Sequence, residues 1–495
     1  MSAPLDRIAA ATRAATALPG GLFIDGEWRE ATGGATLPVE DPATGTAFAE
    51  VADATEADAL DALDAAARAQ AGWAATAPRE RGELLRRGYE ALLARTDELA
   101  AVMTLEMGKP FAESQAEVRY AAEFLRWFAE EAVRIDGGYL TAPGGGSRVV
   151  VMRQPVGPCL LVTPWNFPMA MGTRKIGPAL AAGCTVVVKP ARQTPLSMLA
   201  LVEILREAGL PRGVVNVFTT SRSGPVTERL LSDDRLRKLS FTGSTEVGRL
   251  LLRQSAARVL RTSMELGGNA PFLVFDDADL DAAVEGAVQA KMRNVGEACT
   301  AANRFYVQRP VAEEFGRRLA ERLGELRVGH GLDPDVRVGP LIDAAAVKSV
   351  DALVQDAVAH GATVLTGGGP PDADAGHFYA PTVLAGVPAA ARTLREEIFG
   401  PVAPLAVFDT EAEALTLAND SEHGLAAYLF TEGLGRGLRV AERLEAGMVG
   451  LNQGIISNPA APFGGVKQSG LGREGGFQGI DEYLDVKYLA VRADS

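Results

Sequence analysis

Cysteine is scarce in this chain: Cys159, Cys184 and Cys299 are the only three among 495 residues, and none lies in a C-x-x-C pair. So few cannot build a disulfide framework. The four histidines, His330, His360, His377 and His423, are scattered, so no Cys/His metal site is expected. No apolar run reaches the roughly 18 residues that span a bilayer. Residues 1–21 are alanine-rich, with Arg7 and Arg13, and lack the continuous apolar segment of a secretion signal. Positive charge is in deficit: 49 Lys and Arg face 63 Asp and Glu, for a net charge of −14. That balance argues against nonspecific binding to nucleic acid or anionic membranes. A soluble protein of a reducing, cytoplasmic compartment is expected.

What is present is material for about three folding units, at about 150 residues each. Residues 22–53 place turn residues between short apolar runs and read as small strands. Residues 55–134 carry alanine, leucine, arginine and glutamate at helical spacing. From 159 onward short apolar runs alternate with helical segments: strands at 159–163, 185–188, 214–219 and 239–242, and helices at 169–182, 195–208, 226–231 and 246–257. This alternation predicts βαβ units, a parallel sheet and helices on both faces. A second α/β pattern runs from about 263 to 475, with a strand at 271–275, a long helix at 279–294 and a strand at 363–365. The tail, 480–491, alternates as an edge strand, which needs cover from another chain or segment.

Some residues carry possible chemistry. Cys299 follows a helix among small residues (GEACT, 296–300); it is either a packing residue or an accessible nucleophile. Cys159 and Cys184 sit in apolar strand contexts and read as core. Glu265 ends a strand-like run before Gly267 and Gly268, as a solvated turn residue or a buried general base. Asn166 lies in a loop stiffened by two prolines and two aromatics (TPWNFP, 163–168), a rigid mount for an amide that could face an oxyanion. The G-x-G-x-x-G at 470–475 follows no βαβ strand and is not read as a dinucleotide fingerprint. The Gly243–Gly248 segment (GSTEVG) follows a strand and opens a helix, so its amides could face an anion. It lacks the Lys-Ser/Thr ending of a P-loop.

Together, TPWNFP at 163–168, VKPA at 188–191, FTGST at 241–245, ELGG at 265–268, GEAC at 296–299, EEIFGP at 396–401 and PFGG at 462–465 resemble the aldehyde dehydrogenase superfamily, in order and over nearly the whole chain. MGTRK at 171–175, KMRN at 291–294, GIISN at 454–458 and SGLGREG at 469–475 are similar to succinate-semialdehyde dehydrogenases. The resemblance implies an α/β fold with a Rossmann-like cofactor domain (1–134 and 154–262), an α/β catalytic domain (263–478) and a small β oligomerisation element (135–153 and 479–495). It implies Cys299 as nucleophile, Asn166 with the Cys299 amide as oxyanion hole, and Glu265 as the base for thioester hydrolysis. A nicotinamide cofactor would be held by Thr163, Pro164, Trp165, Lys189, Gly243, Ser244, Gly248, Leu266, Glu397 and Phe399. Arg174, Arg293 and Ser457 match the group that binds a substrate carboxylate.

The implied reaction is oxidation of an aldehyde to an acid, with succinic semialdehyde foremost and other short aldehydes or semialdehydes as the alternative. A non-redox thiol esterase would have no use for a nicotinamide site. Where many NAD-preferring relatives carry a glutamate after the VKPA motif, this chain has Arg192, which could neutralise a 2′-phosphate. NADP is therefore the expected cofactor, with NAD possible. A homodimer or homotetramer is expected. Two departures stand out: Glu297 replaces a common glutamine, and Ala301 replaces a second cysteine found in some relatives, which removes a disulfide switch at that position.

Overall fold

The structure, a computed structural model, describes residues 2–371 and 376–492. Short, largely buried runs form its central strands. Five of them, β1 (Cys159–Val162), β2 (Val186–Lys189), β3 (Val215–Val217), β4 (Lys238–Thr242) and β5 (Arg261–Glu265), lie parallel in the order β3-β2-β1-β4-β5. The strands β1 to β4 are buried along their length because helices cover both faces. The small hairpin Leu22–Ile24 and Glu27–Arg29 extends this sheet beyond β3, and Gly470–Leu471 extends it beyond β5. The sheet reverses its winding between β1 and β4. In open α/β sheets ligands bind at that switch, outside the carboxyl ends of the strands.

Beginning with β6 (Ala270–Val274) and β7 (Ala302–Gln308), a second sheet of seven strands follows, parallel except for the edge strand Thr363–Thr366. Because β5 pairs with β4 along its whole length, the passage between sheets falls at residues 266–269. A division at 262/263 would cut a strand. The first sheet's core gathers around Leu161, Val186 and Phe128, and the second's around Phe272, Phe305 and Tyr428.

The helices that matter to the site are α1 (Phe111–Glu131), α2 (Ala170–Ala182), α3 (Leu196–Glu207), α4 (Thr245–Ala256) and α5 (Leu280–Met292). Ser244 caps α4 by accepting from the Val247 N–H at 3.4 Å, and Asp279 caps α5. Gly470 is required where it stands: its φ is +140°, and a Cβ there would lie 1.9 Å from the Met264 carbonyl oxygen. Gly470 thus serves an edge pairing.

A third sheet, antiparallel, joins Gly138–Thr141, Ser147–Pro155 and Leu484–Arg492. The expected tail strand begins later than 480, because Phe477–Tyr483 is a 3-10 turn that buries Ile480 and Tyr483. Residues 493–495 of the expected oligomerisation element lie outside the described residues.

Candidate active site

A cavity of about 260 Å³ opens where the carboxyl ends of β1 and β4 meet the loops of the second sheet. Pro164, Trp165 and Asn166 follow β1 directly, and Gly243 and Ser244 follow β4. Leu266 comes from the segment after β5, and Glu397 and Phe399 from the loop before Val402–Phe408. Cys299 faces them from the turn between α5 and β7. Residues distant in sequence therefore converge on one volume.

The Cys299 turn is strained. Asn294, Val295 and Gly296 have φ of 54°, 57° and 80°, a left-handed run that a β-branched valine rarely adopts. Gly296 has no alternative, since a Cβ would meet the Gly400 carbonyl oxygen at 2.3 Å. Glu113 on α1 secures the run by accepting from the Asn294 N–H at 2.6 Å. Asn166 Nδ2 donates to the Glu297 carbonyl at 2.9 Å, and its Oδ1 accepts from the Phe167 N–H. One N–H of the amide is thus fixed, which orients the other.

Electrostatics divide the titratable groups. Burial pushes the Cys299 thiol up to about 12, although Arg174 opposes the shift. Burial, reinforced by the charge of Glu474, raises Glu265 well above the usual carboxylate range. Glu265 is only 3% exposed and its Oε2 has no hydrogen-bond partner, so it is no solvated turn residue. Burial works against the charge on Glu474, but Lys175 and Arg174 outweigh it and hold that carboxyl low. Burial brings Glu397 to about 7, while the Gly268 N–H donates to its Oε1 at 3.1 Å.

The two arginines differ. Arg174, on α2, is fully buried, with its Nε 2.6 Å from Glu474 Oε2 and its guanidinium 4.0 Å above the Phe463 ring. It lines the cavity, and its Nη2 has no hydrogen-bond partner. Arg293 is half-buried; its Nη1 donates to Ser457 Oγ at 3.1 Å, and it sits 4.8 Å from the Phe167 ring centroid. A symmetric pair of free guanidinium groups is therefore not what forms here.

Five expected residues lie outside the cavity lining: Glu265, Thr163, Lys189, Arg192 and Gly248. Lys189 ends β2, buried, and burial lowers it to about 8; its Nζ has only long contacts, 3.3 Å to Ser223 Oγ and 3.4 Å to the Pro190 carbonyl. Arg192, three residues on, is exposed. A Cβ on Gly248 would meet Leu266 at 2.4 Å, so that glycine admits a side chain of the site rather than facing an anion itself. Cys159 and Cys184 are fully buried core residues. Tyr120, Phe167, Met171, Thr242 and Phe463 also line the walls; all but Tyr120 lie in motifs quoted above, without an assigned contact to substrate or cofactor. Tyr120, a single aromatic on α1, has no local pattern that separates it from core.

The chain's own groups fit a dinucleotide: a crevice at the sheet's switch point, and buried hydroxyls of Thr163 and Thr242 that lack hydrogen-bond partners. Cys299 faces this crevice from the loops of the second α/β sheet. The chain belongs to the Aldehyde dehydrogenase family, whose profile matches residues 28–489. It is 59% identical over 444 residues to a succinate-semialdehyde dehydrogenase of Paenarthrobacter nicotinovorans, covering 90% of this chain and 98% of that one. It is 50% identical over 469 residues to the NADP(+) succinate-semialdehyde dehydrogenase of Escherichia coli, covering 95% and 97%. Among solved structures, an aldehyde dehydrogenase from Brucella melitensis superposes with a TM-score of 0.95 at 50% identity, covering 97% of this chain and 98% of that one.

Proposed function

We propose that this enzyme oxidises succinic semialdehyde to succinate, with NADP preferred and NAD accepted. The observation that carries the substrate assignment is the Arg293–Ser457 pair in the same cavity as Cys299, with the unpartnered Arg174 Nη2 beside them. A substrate carboxylate would accept charge-assisted hydrogen bonds from these donors. The Paenarthrobacter and Escherichia relatives are named for succinic semialdehyde, and the second of them for NADP(+).

Cys299 Sγ attacks the aldehyde carbon, and its proton passes to solvent water as the C–S bond forms, because burial pushes the thiol up to about 12. The free N–H of Asn166 and the Cys299 amide stabilise the oxyanion. A bound nicotinamide would supply the hydride acceptor for that carbon, and Cys299 would keep the acyl group as a thioester. Lys189 and Arg192 would hold the adenosine ribose and its 2′-phosphate, and Glu397 and Phe399 the nicotinamide ribose and ring. Glu265, once ionised, takes a proton from water as the water attacks the thioester; burial raises this carboxyl, so the step should quicken as pH rises and the ionised fraction grows. The exposed third sheet, with Tyr139 71% and Val486 69% exposed, supports assembly with further copies of the chain as a dimer or tetramer.

The test is kcat/KM for succinic semialdehyde against butanal, in the native enzyme and in Arg293→Met. Loss of one clamp donor costs roughly 2–4 kcal/mol, so the variant should lose roughly 30- to 1000-fold on the semialdehyde and little on butanal. Equal values for the two aldehydes in the native enzyme contradict the assignment.

A further inference from the structure

We infer that Lys109 is a positioning residue for the oxyanion hole, holding the main chain of Asn166 in place through a single buried ammonium. The inference rests on the proposed role of Asn166. Lys109 follows the helix Thr96–Met107 and lies far in sequence from the reacting groups, yet it is 1% exposed and stands behind them. Its Nζ donates to the Asn166 carbonyl at 2.7 Å and to Glu117, and lies 4.2 Å from the centroid of the Phe167 ring. All three contacts bear on one loop, because Glu117 in turn accepts from the N–H groups of Met169 and Ala170, at 3.1 and 3.2 Å. The ion pair therefore clasps residues 166–170 at both ends. The Asn166 carbonyl takes a second donor, Asn294 Nδ2 at 3.1 Å, whose amide also donates to the Glu297 carbonyl. That same carbonyl anchors the Asn166 side chain. Lys109 thus sets the height of the amide relative to the Cys299 turn without reaching the cavity occupied by Cys299.

A buried ion pair placed only for stability would act independently of Asn166. A double-mutant cycle separates the two roles. The readout is the single-turnover rate of reduced-nicotinamide appearance, with NADP binding by equilibrium dialysis as the measure of an intact fold. Asn166→Ala should slow the burst by roughly 100- to 1000-fold, the usual effect of losing one oxyanion donor. Lys109→Met should slow it by roughly tenfold or more, with NADP affinity unchanged, and by less than about twofold in the Asn166→Ala background. Glu117→Gln, which keeps an acceptor for Met169 and Ala170, supplies the same cycle if Lys109→Met does not fold. Equal slowing by the Lys109 substitution in both backgrounds overturns the inference, as does a native burst in Lys109→Met. A native burst in Asn166→Ala instead defeats the assignment of Asn166, and the inference falls with it.

Discussion

Glu297 carries a carboxyl where the resemblance leads one to expect an amide, and its surroundings explain how the turn tolerates it. The side chain is fully buried; Oε1 accepts from the Ile342 N–H at 3.0 Å, and Oε2 has no hydrogen-bond partner. Burial raises it well above the usual carboxylate range, which favours the protonated form, the one that matches glutamine in shape and charge. In the unfolded chain it ionises near pH 4.3. Between that value and the raised one, folding takes up a proton, so this residue's contribution to stability falls as pH rises, by about 1.4 kcal/mol per unit. Glu297→Gln does not titrate. Its Tm should exceed the native value at pH 8, with the gain shrinking toward pH 5, as read by calorimetry at the two pH values. The same gain at both would mean that Glu297 is already ionised in the folded protein.

Elements were legible where local pattern decides them. The strands and helices between 159 and 257 fall within about three residues of their expected bounds, because a fully buried strand is a continuous β-branched run. The tail was shifted because Ile480 and Tyr483, read as strand alternation, are apolar for a different reason: they plug the first core from a 3-10 turn. The proposed cofactor choice rests on the loop after β2. Lys189 is buried with long contacts only, while Arg192 stands exposed beside it, and no hydrogen bond or ion pair joins Arg192 to another described residue. Two cations there favour a 2′-phosphate, and exposure makes the preference sensitive to salt. NADP should be used at least as efficiently as NAD, and Arg192→Glu should reverse the order. Measured kcat/KM for both cofactors in both proteins decides it; a native enzyme strongly favouring NAD contradicts the assignment.

At the scale of the whole molecule, the catalytic candidates could be found by sequence and their supports could not. Cys299, Glu265 and Asn166 each sit in a short motif whose chemistry is local. Glu474 balances Arg174 and Lys175 across 300 and 299 positions, and Lys109 reaches Asn166 across 57, contacts that only the packed sheets create. The unequal state of the two arginines follows from Glu474 and could not be read from either motif. The account as a whole turns on an acyl group passing through Cys299, with Glu265 needed to release it. Glu265→Gln should therefore complete one hydride transfer and stop, with the acyl group still attached. Incubated with succinic semialdehyde and NADP, then quenched in acid and digested for mass spectrometry, this variant should carry a succinyl group on the peptide containing Cys299, in step with a single burst of reduced nicotinamide. Sustained turnover with an unmodified Cys299 peptide would contradict it.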